Sequence, residues 1–159
     1  MALPQANSPA SNVVPFAPRR LAIDASVAIK WYVAEDRSEA AHALERFDNF
    51  LTTPDFLAVE LANIAWKKAC LKQIEPQHAA LIAAPGALSR IELLPSGPLT
   101  AAAFACATEL DHPVHDCLYL ACAVHIGGML ITADDRFVRT VAASPYAGFV
   151  RALGSPLPD

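Results

Sequence analysis

Twelve residues, Leu21 to Tyr32, constrain this 159-residue chain more than any other stretch. Leu21-Ala22-Ile23 reads as a buried strand that stops at a carboxylate, Asp24, and Ala25 onward reads as a helix. An acid in that place stands in the crevice beyond the carboxyl ends of the strands, where open α/β sheets bind their ligands. Three further acids follow at informative places. Glu60 lies within Val59-Glu60-Leu61-Ala62-Asn63, Asp116 opens a helix after His112-Pro113, and Asp134 follows the short apolar run Leu130-Ile131-Thr132. The pattern predicts that these four carboxylates meet.

Strand and helix signals alternate along the rest of the chain. A short helix covers about 25–33, and Ala40, Ala43, Leu44, Phe47 and Leu51 place a second over roughly 38–50. Thr52-Thr53 reads as a very short strand, and Pro54 suits the first turn of a third helix over about 55–72. On that helix Leu57, Leu61, Ile64 and Lys68 form one line, with Glu60, Asn63 and Lys67 beside it. Pro76 opens a helix that Pro85-Gly86 ends. Ile91 to Leu94 is a strand, Leu99 to Leu110 an Ala-rich helix, and Val114 to His125 an apolar helix capped by Gly127-Gly128. Met129 to Thr132 is a strand, Asp135 to Ala142 a helix, and Phe149-Val150 a last edge strand. The expected fold is a three-layer α/β/α domain with a mostly parallel central sheet, over residues 19–153. Residues 1–18, with four prolines, read as a flexible tail, and 154–159 as a short frayed one.

The length suits one domain with a substantial core, and the 54% hydrophobic and 18% charged shares are those of a globular protein. A net charge of −4 argues against a general nucleic-acid coat protein but not against an enzyme that grips phosphate through metal ions. Cys70, Cys106, Cys117 and Cys122 form no C-x-x-C pair and lie in apolar, helix-like runs, so they read as reduced, buried small hydrophobes. No run approaches the roughly 18 apolar residues of a membrane span, and the chain reads as soluble and cytoplasmic.

Each acid taken alone has a bland explanation. Asp24 and Asp134 suit helix N-caps, Asp116 complements a helix dipole, and Glu60 suits a solvated face. Their grouping has a different one. The segments Ile23-Asp24-Ala25-Ser26, Glu60-Leu61-Ala62-Asn63, His115-Asp116-Cys117-Leu118-Tyr119-Leu120-Ala121 and Leu130-Ile131-Thr132-Ala133-Asp134-Asp135-Arg136-Phe137 stand in an order and spacing that resembles the PIN domain, specifically the VapC-like toxins of bacterial toxin–antitoxin pairs. The resemblance covers Leu21 to about Val150.

It implies that Asp24, Glu60, Asp116 and Asp134 line one metal-binding pocket. Ser26 and Thr132 match its accessory hydroxyls and Asn63 its polar position after the Glu, while Asp135 stands where the family often carries a further acid. Clustered carboxylates raise one another's pKa, and an all-oxygen ligand set favours Mg²⁺, with Mn²⁺ as an alternative. The implied activity is endoribonucleolytic hydrolysis that leaves a 5′-phosphate and a 3′-hydroxyl. The implied partners are RNA, a cognate VapB-like antitoxin that masks the acids, and a second copy in a homodimer. Lys30 and Arg136 are candidates to meet the RNA backbone, whereas Lys67 and Arg139 suit ordinary exposed charges. Trp31 and Tyr32 fit either stacking on a base or peptide, or core packing.

Three other readings compete. The pair His115-Asp116 suggests HD-class phosphohydrolases, but that fold is all-helical and this chain has strand signals. A haloacid-dehalogenase-like phosphatase needs a second Asp where Ser26 stands. A PIN-like module without catalysis that acts only by binding remains the non-enzymatic alternative.

Overall fold

The computed structural model describes residues 19–46 and 49–157. Five strands form one sheet: β1 (Arg20–Ile23), β2 (Phe50–Pro54), β3 (Glu92–Leu94), β4 (Met129–Thr132) and β5 (Val150–Ala152). Their spatial order is β3-β2-β1-β4-β5, and every neighbouring pair is parallel. The chain therefore leaves the central β1 towards β2 and β3, then returns to β1's other side as β4 and β5. The order reverses between β1 and β4, which makes their carboxyl ends the topological switch point of the sheet.

Parallel strands need helical crossovers. Between β1 and β2 run α1 (Ala25–Ala28), a 3₁₀ turn (Ile29–Trp31) and α2 (Ser38–Arg46). Between β2 and β3 run α3 (Phe56–Cys70) and α4 (Pro76–Ile82). Between β3 and β4 run α5 (Thr100–Leu110) and α6 (Val114–His125), and α7 (Asp135–Ala142) leads to β5. Leu21, Ala22 and Ile23 are buried one after another, as are Leu130, Ile131 and Thr132. Successive strand residues point to opposite faces, so consecutive burial means that both faces of the central strands are covered. This is the expected three-layer arrangement.

The helix α6 carries the core. All seven residues from Cys117 to Ala123 are buried, because the helix lies against β1, β2 and β4 and α5 packs on it. Burying a single side chain such as Leu120 contributes about 1.5–3 kcal/mol. The turn into α6 is made by Asp111, in the left-handed region at φ 48°, followed by Pro113. The helix ends on Gly127, at φ 61°, with Gly128 N–H donating to Ala123 O and Gly127 N–H to Val124 O. That double bond pattern is a Schellman cap. Gly128 also lets β4 begin against β1, since a Cβ there would stand 2.2 Å from Arg20 O.

Several expected boundaries differ. Leu51 lies in β2 rather than on α2, which ends at Arg46. Pro54 is the last residue of β2, paired with Leu94, and not a helix start. A proline fits there because the next amide, Asp55 N–H, makes the bond to Leu94 O. Cys70 is exposed at the end of α3, whereas Cys106, Cys117 and Cys122 are buried, and all four are free thiols. Leu157, in the segment expected to fray, packs against the core. The expected N-terminal tail, 1–18, and Phe47 lie outside the described residues. Among those described, no helix is long and apolar enough to cross a membrane.

Candidate active site

β1 delivers Asp24 to the switch point. Its backbone leaves the strand in an extended conformation and its side chain caps α1, with Oδ1 accepting from Val27 N–H at 3.1 Å. Ser26 Oγ donates to the same oxygen at 2.5 Å, and Thr132 Oγ1, at the end of β4, donates to Oδ2 at 2.5 Å. The two hydroxyls lie 3.4 Å apart. Ser26 Oγ in turn accepts from Ala133 N–H, and Thr132 Oγ1 from Asp134 N–H. The N-cap role and a place in the pocket are therefore not rivals for Asp24, since the cap uses Oδ1 and Oδ2 is held by Thr132 at the end of β4. Ile23 is pinned from behind by Thr53, which donates to its carbonyl at 2.7 Å.

Burial pushes the Asp24 carboxyl up to about 6 from its ordinary 3.8. The donors Ser26, Thr132 and Val27 pull the other way, and the charge of Glu60 adds to the rise. A carboxylate under that pressure binds a proton or a cation more readily than a solvated one.

Glu60 arrives from α3, on which Leu57, Leu61 and Ala65 face the core. It does not lie on an open solvated face, because Tyr119 Oη, from α6, donates to its Oε2 at 2.5 Å. Asp116 stands one turn earlier on α6, in the first helical turn. Burial holds the Tyr119 hydroxyl far above the usual phenol range, and the charges of Glu60, Asp24 and Asp116 add to it. Of the four predicted acids, Glu60 is bonded to this buried hydroxyl, and Asp24 and Asp116 lie near enough for their charges to act on it.

His112 Nε2 lies 2.9 Å from Asp116 Oδ2 without hydrogen-bond alignment, and its ring packs on Phe137 at 4.6 Å. His115 Nε2 is 3.5 Å from Asp116 Oδ1.

Asp134 is exposed and caps α7, with Oδ1 accepting from Arg136 and Phe137 N–H. It is tied to Asp24 indirectly, through the bond from its own N–H to Thr132 Oγ1. Asp135 forms a two-pronged pair with Arg37, at 3.0 and 3.3 Å, and Arg37 also holds Ala133 O at 2.9 Å. Asn63, one turn after Glu60, is exposed.

Lys30 is only 9% exposed and is paired with Glu35 at 3.2 Å, while Lys68 holds the other Glu35 oxygen. Its expected contact with RNA does not fit this placement, since its ammonium already serves to tie the turn after α1 to α3. Arg136 is exposed beside Asp134. Trp31 and Tyr32 pack against the core, with Trp31 Nε1 donating to Ala41 O and Tyr32 Oη to Ala87 O.

As they stand, no three acidic, His or Cys side chains among the described residues are drawn close enough to chelate an ion. The donor chemistry nonetheless fits a hard divalent cation: the three gathered acids offer oxygen only, and the most buried of them is driven towards neutrality. A cavity of about 430 Å³ opens at the other end of the sheet, lined by Arg20, Phe50, Thr52, Glu92 and His125 among others, and holds none of the predicted site residues.

Sequence reasoning missed Tyr119, Arg37 and the contact of His112 with Asp116. Tyr119 lay three residues after Asp116, at helical spacing. Arg37 carried no local signal.

Comparison with known proteins places the chain in a family. The model of the PIN domain matches residues 21–142. The ribonuclease VapC3 of Pyrobaculum aerophilum is 32% identical over 132 residues, which span 78% of this chain and 96% of that protein. Two solved structures share the fold. PAE2754 from Pyrobaculum aerophilum has a TM-score of 0.60 at 20% identity, over 83% of this chain and 88% of its own. VapBC2 from Rickettsia felis, bound to a DNA fragment from its promoter, has a TM-score of 0.57 at 18% identity, over 84% and 98%.

Proposed function

The chain belongs to the PIN domain family, and from that premise we propose that it is a divalent-metal-dependent endoribonuclease, the toxin of a toxin–antitoxin pair, with its activity carried by residues 19–153. The observation that supports this most is the placing of Asp24 at the β1/β4 switch point, held by Thr132, with Glu60 bonded to Tyr119 on the helix that carries Asp116. The name of the ribonuclease relative, over most of both chains, supports the reaction class.

Mg²⁺ or Mn²⁺ would be held chiefly by Asp24 and Asp116, with Glu60 and Asp134 positioning water or a second ion. When bound, such a cation offsets the carboxylates' repulsion, acidifies water and stabilises charge on a phosphate oxygen. Ser26 and Thr132 fix the Asp24 carboxylate by holding both its oxygens, and Asn63 and Asp135 would support the site from its margin. In the hydrolysis a water oxygen bonds to phosphorus, the bond from phosphorus to O3′ breaks, and the leaving oxygen takes up a proton. Arg136, exposed beside Asp134, would meet the phosphate backbone. An antitoxin segment with a basic side chain would occupy the same acidic groove, and the active toxin would be a homodimer.

The test is cleavage of a mixed tRNA and ribosomal RNA pool by the purified protein in Mg²⁺, Mn²⁺ or EDTA, beside Asp116→Asn. Discrete fragments that need metal and vanish in the variant are expected. Fragments that persist in EDTA or in Asp116→Asn would overturn the reading. A folded protein that binds Mn²⁺ and cuts no RNA would favour the binding module.

A further inference from the structure

The three gathered acids are not held equally. Asp24 is fixed by two hydroxyls and a backbone N–H. Glu60 has a longer side chain with more rotatable bonds, and its single hydrogen bond among the described residues comes from Tyr119. The Tyr119 ring is 1% exposed, within the stretch of α6 where every residue is buried, so its hydroxyl cannot swing to solvent. It rises from the same helix as Asp116 and one turn further on. The Glu60 carboxylate is therefore tied through one hydrogen bond to the helix that carries Asp116.

We propose that Tyr119 is a positioning residue of this site, its hydroxyl fixing the Glu60 carboxylate beside Asp24 and Asp116 and so setting the affinity for a divalent cation. The inference rests on the reading of these acids as a cation site. Tyr119 serves Glu60 as Ser26 and Thr132 serve Asp24, with a neutral donor that takes one oxygen and removes the side chain's freedom to turn away. Groups that orient metal ligands in this manner typically alter metal affinity or activity by about 10–100-fold.

The test is Tyr119→Phe in the full chain, which keeps the buried ring and removes only the hydroxyl. Mn²⁺ binding is followed by calorimetry in the wild type, Tyr119→Phe, Glu60→Gln and the double variant, with Asp24→Asn as the control for the site itself. Melting in EDTA is recorded for each. Tyr119→Phe is expected to raise the Mn²⁺ Kd roughly tenfold, to regain wild-type cleavage at saturating Mn²⁺, and to add nothing in the Glu60→Gln background. An unchanged Kd, or an equal loss with and without Glu60, would overturn the inference while leaving the cation site intact. Equal Mn²⁺ affinity in the wild type and Asp24→Asn would instead remove the reading beneath it. The double variant decides the matter even if Tyr119→Phe melts lower, because a packing defect weakens binding in both backgrounds.

Discussion

At the carboxyl end of the sheet, Asp24, Ser26 and Thr132 crowd polar groups together next to Glu60 and Asp116, and burial drives Asp24 towards protonation. At the amino end, Gly128 brings the start of β4 against Arg20, and the Schellman cap of α6 satisfies the helix carbonyls. One end accumulates repulsion that a ligand can relieve, while at the other the cap of α6 is paired and β4 starts in close contact with β1. Substitutions at the first end should therefore act on function more than on stability, and those at the second should do the reverse.

The largest effect that would sharpen this contrast is on catalysis. Asp24→Asn should lower RNA cleavage by roughly a hundred- to a thousandfold, the loss of several kcal/mol of transition-state stabilisation, while the protein stays folded by circular dichroism. A variant that unfolds would break the comparison by making Asp24 a structural residue. The counterpart at the other end is Gly128→Ala. Its Cβ would stand 2.2 Å from Arg20 O, so β1 and β4 must part, at about 1–3 kcal/mol. Urea denaturation should show that loss, with cleavage per folded molecule unchanged.

The third effect is pH dependence. Asp24 has a carboxyl raised to about 6 from 3.8, so between those values the folded state binds more protons than the unfolded state. Stability in EDTA should therefore fall as pH rises through that window, by on the order of 2–3 kcal/mol. Glu35 acts in the opposite sense. Burial tends to raise its carboxyl, but Lys68 and Lys30 overcome this and leave it lowered, so its contribution is lost as pH falls. The difference between wild type and Asp24→Asn isolates Asp24, and equal slopes in the two proteins would contradict the argument. The smallest effect is expected for Arg37→Ala. The pair with Asp135 is about half exposed and should cost less than about 1 kcal/mol in stability by urea denaturation.

Much of the fold was legible because the core elements carry strong local signals. The limits of α6 and α7 and the span of β4 follow from a proline, a glycine pair, an N-cap aspartate and short apolar runs. Boundaries failed where tertiary pairing outweighs local preference. Pro54 reads as a helix start, but β3 recruits it into a strand. Leu51 has helical spacing from Leu44, yet it pairs with Leu21 in the sheet. Lys30 reads as a candidate RNA contact, but it is buried and paired with Glu35, whose other oxygen Lys68 holds.

By itself the sequence determined the alternation of strands and helices and the positions of Asp24, Asp116 and Asp134 near element ends, because burial period and capping chemistry are local. The strand order, with β4 rather than β2 completing the Asp24 corner, belongs to the tertiary structure alone. Only that order brings Thr132 to a residue 108 positions earlier, and only the packing of α3 against the core sets Glu60 on Tyr119. Such contacts depend on which buried faces find one another, and no local pattern of residues encodes that choice.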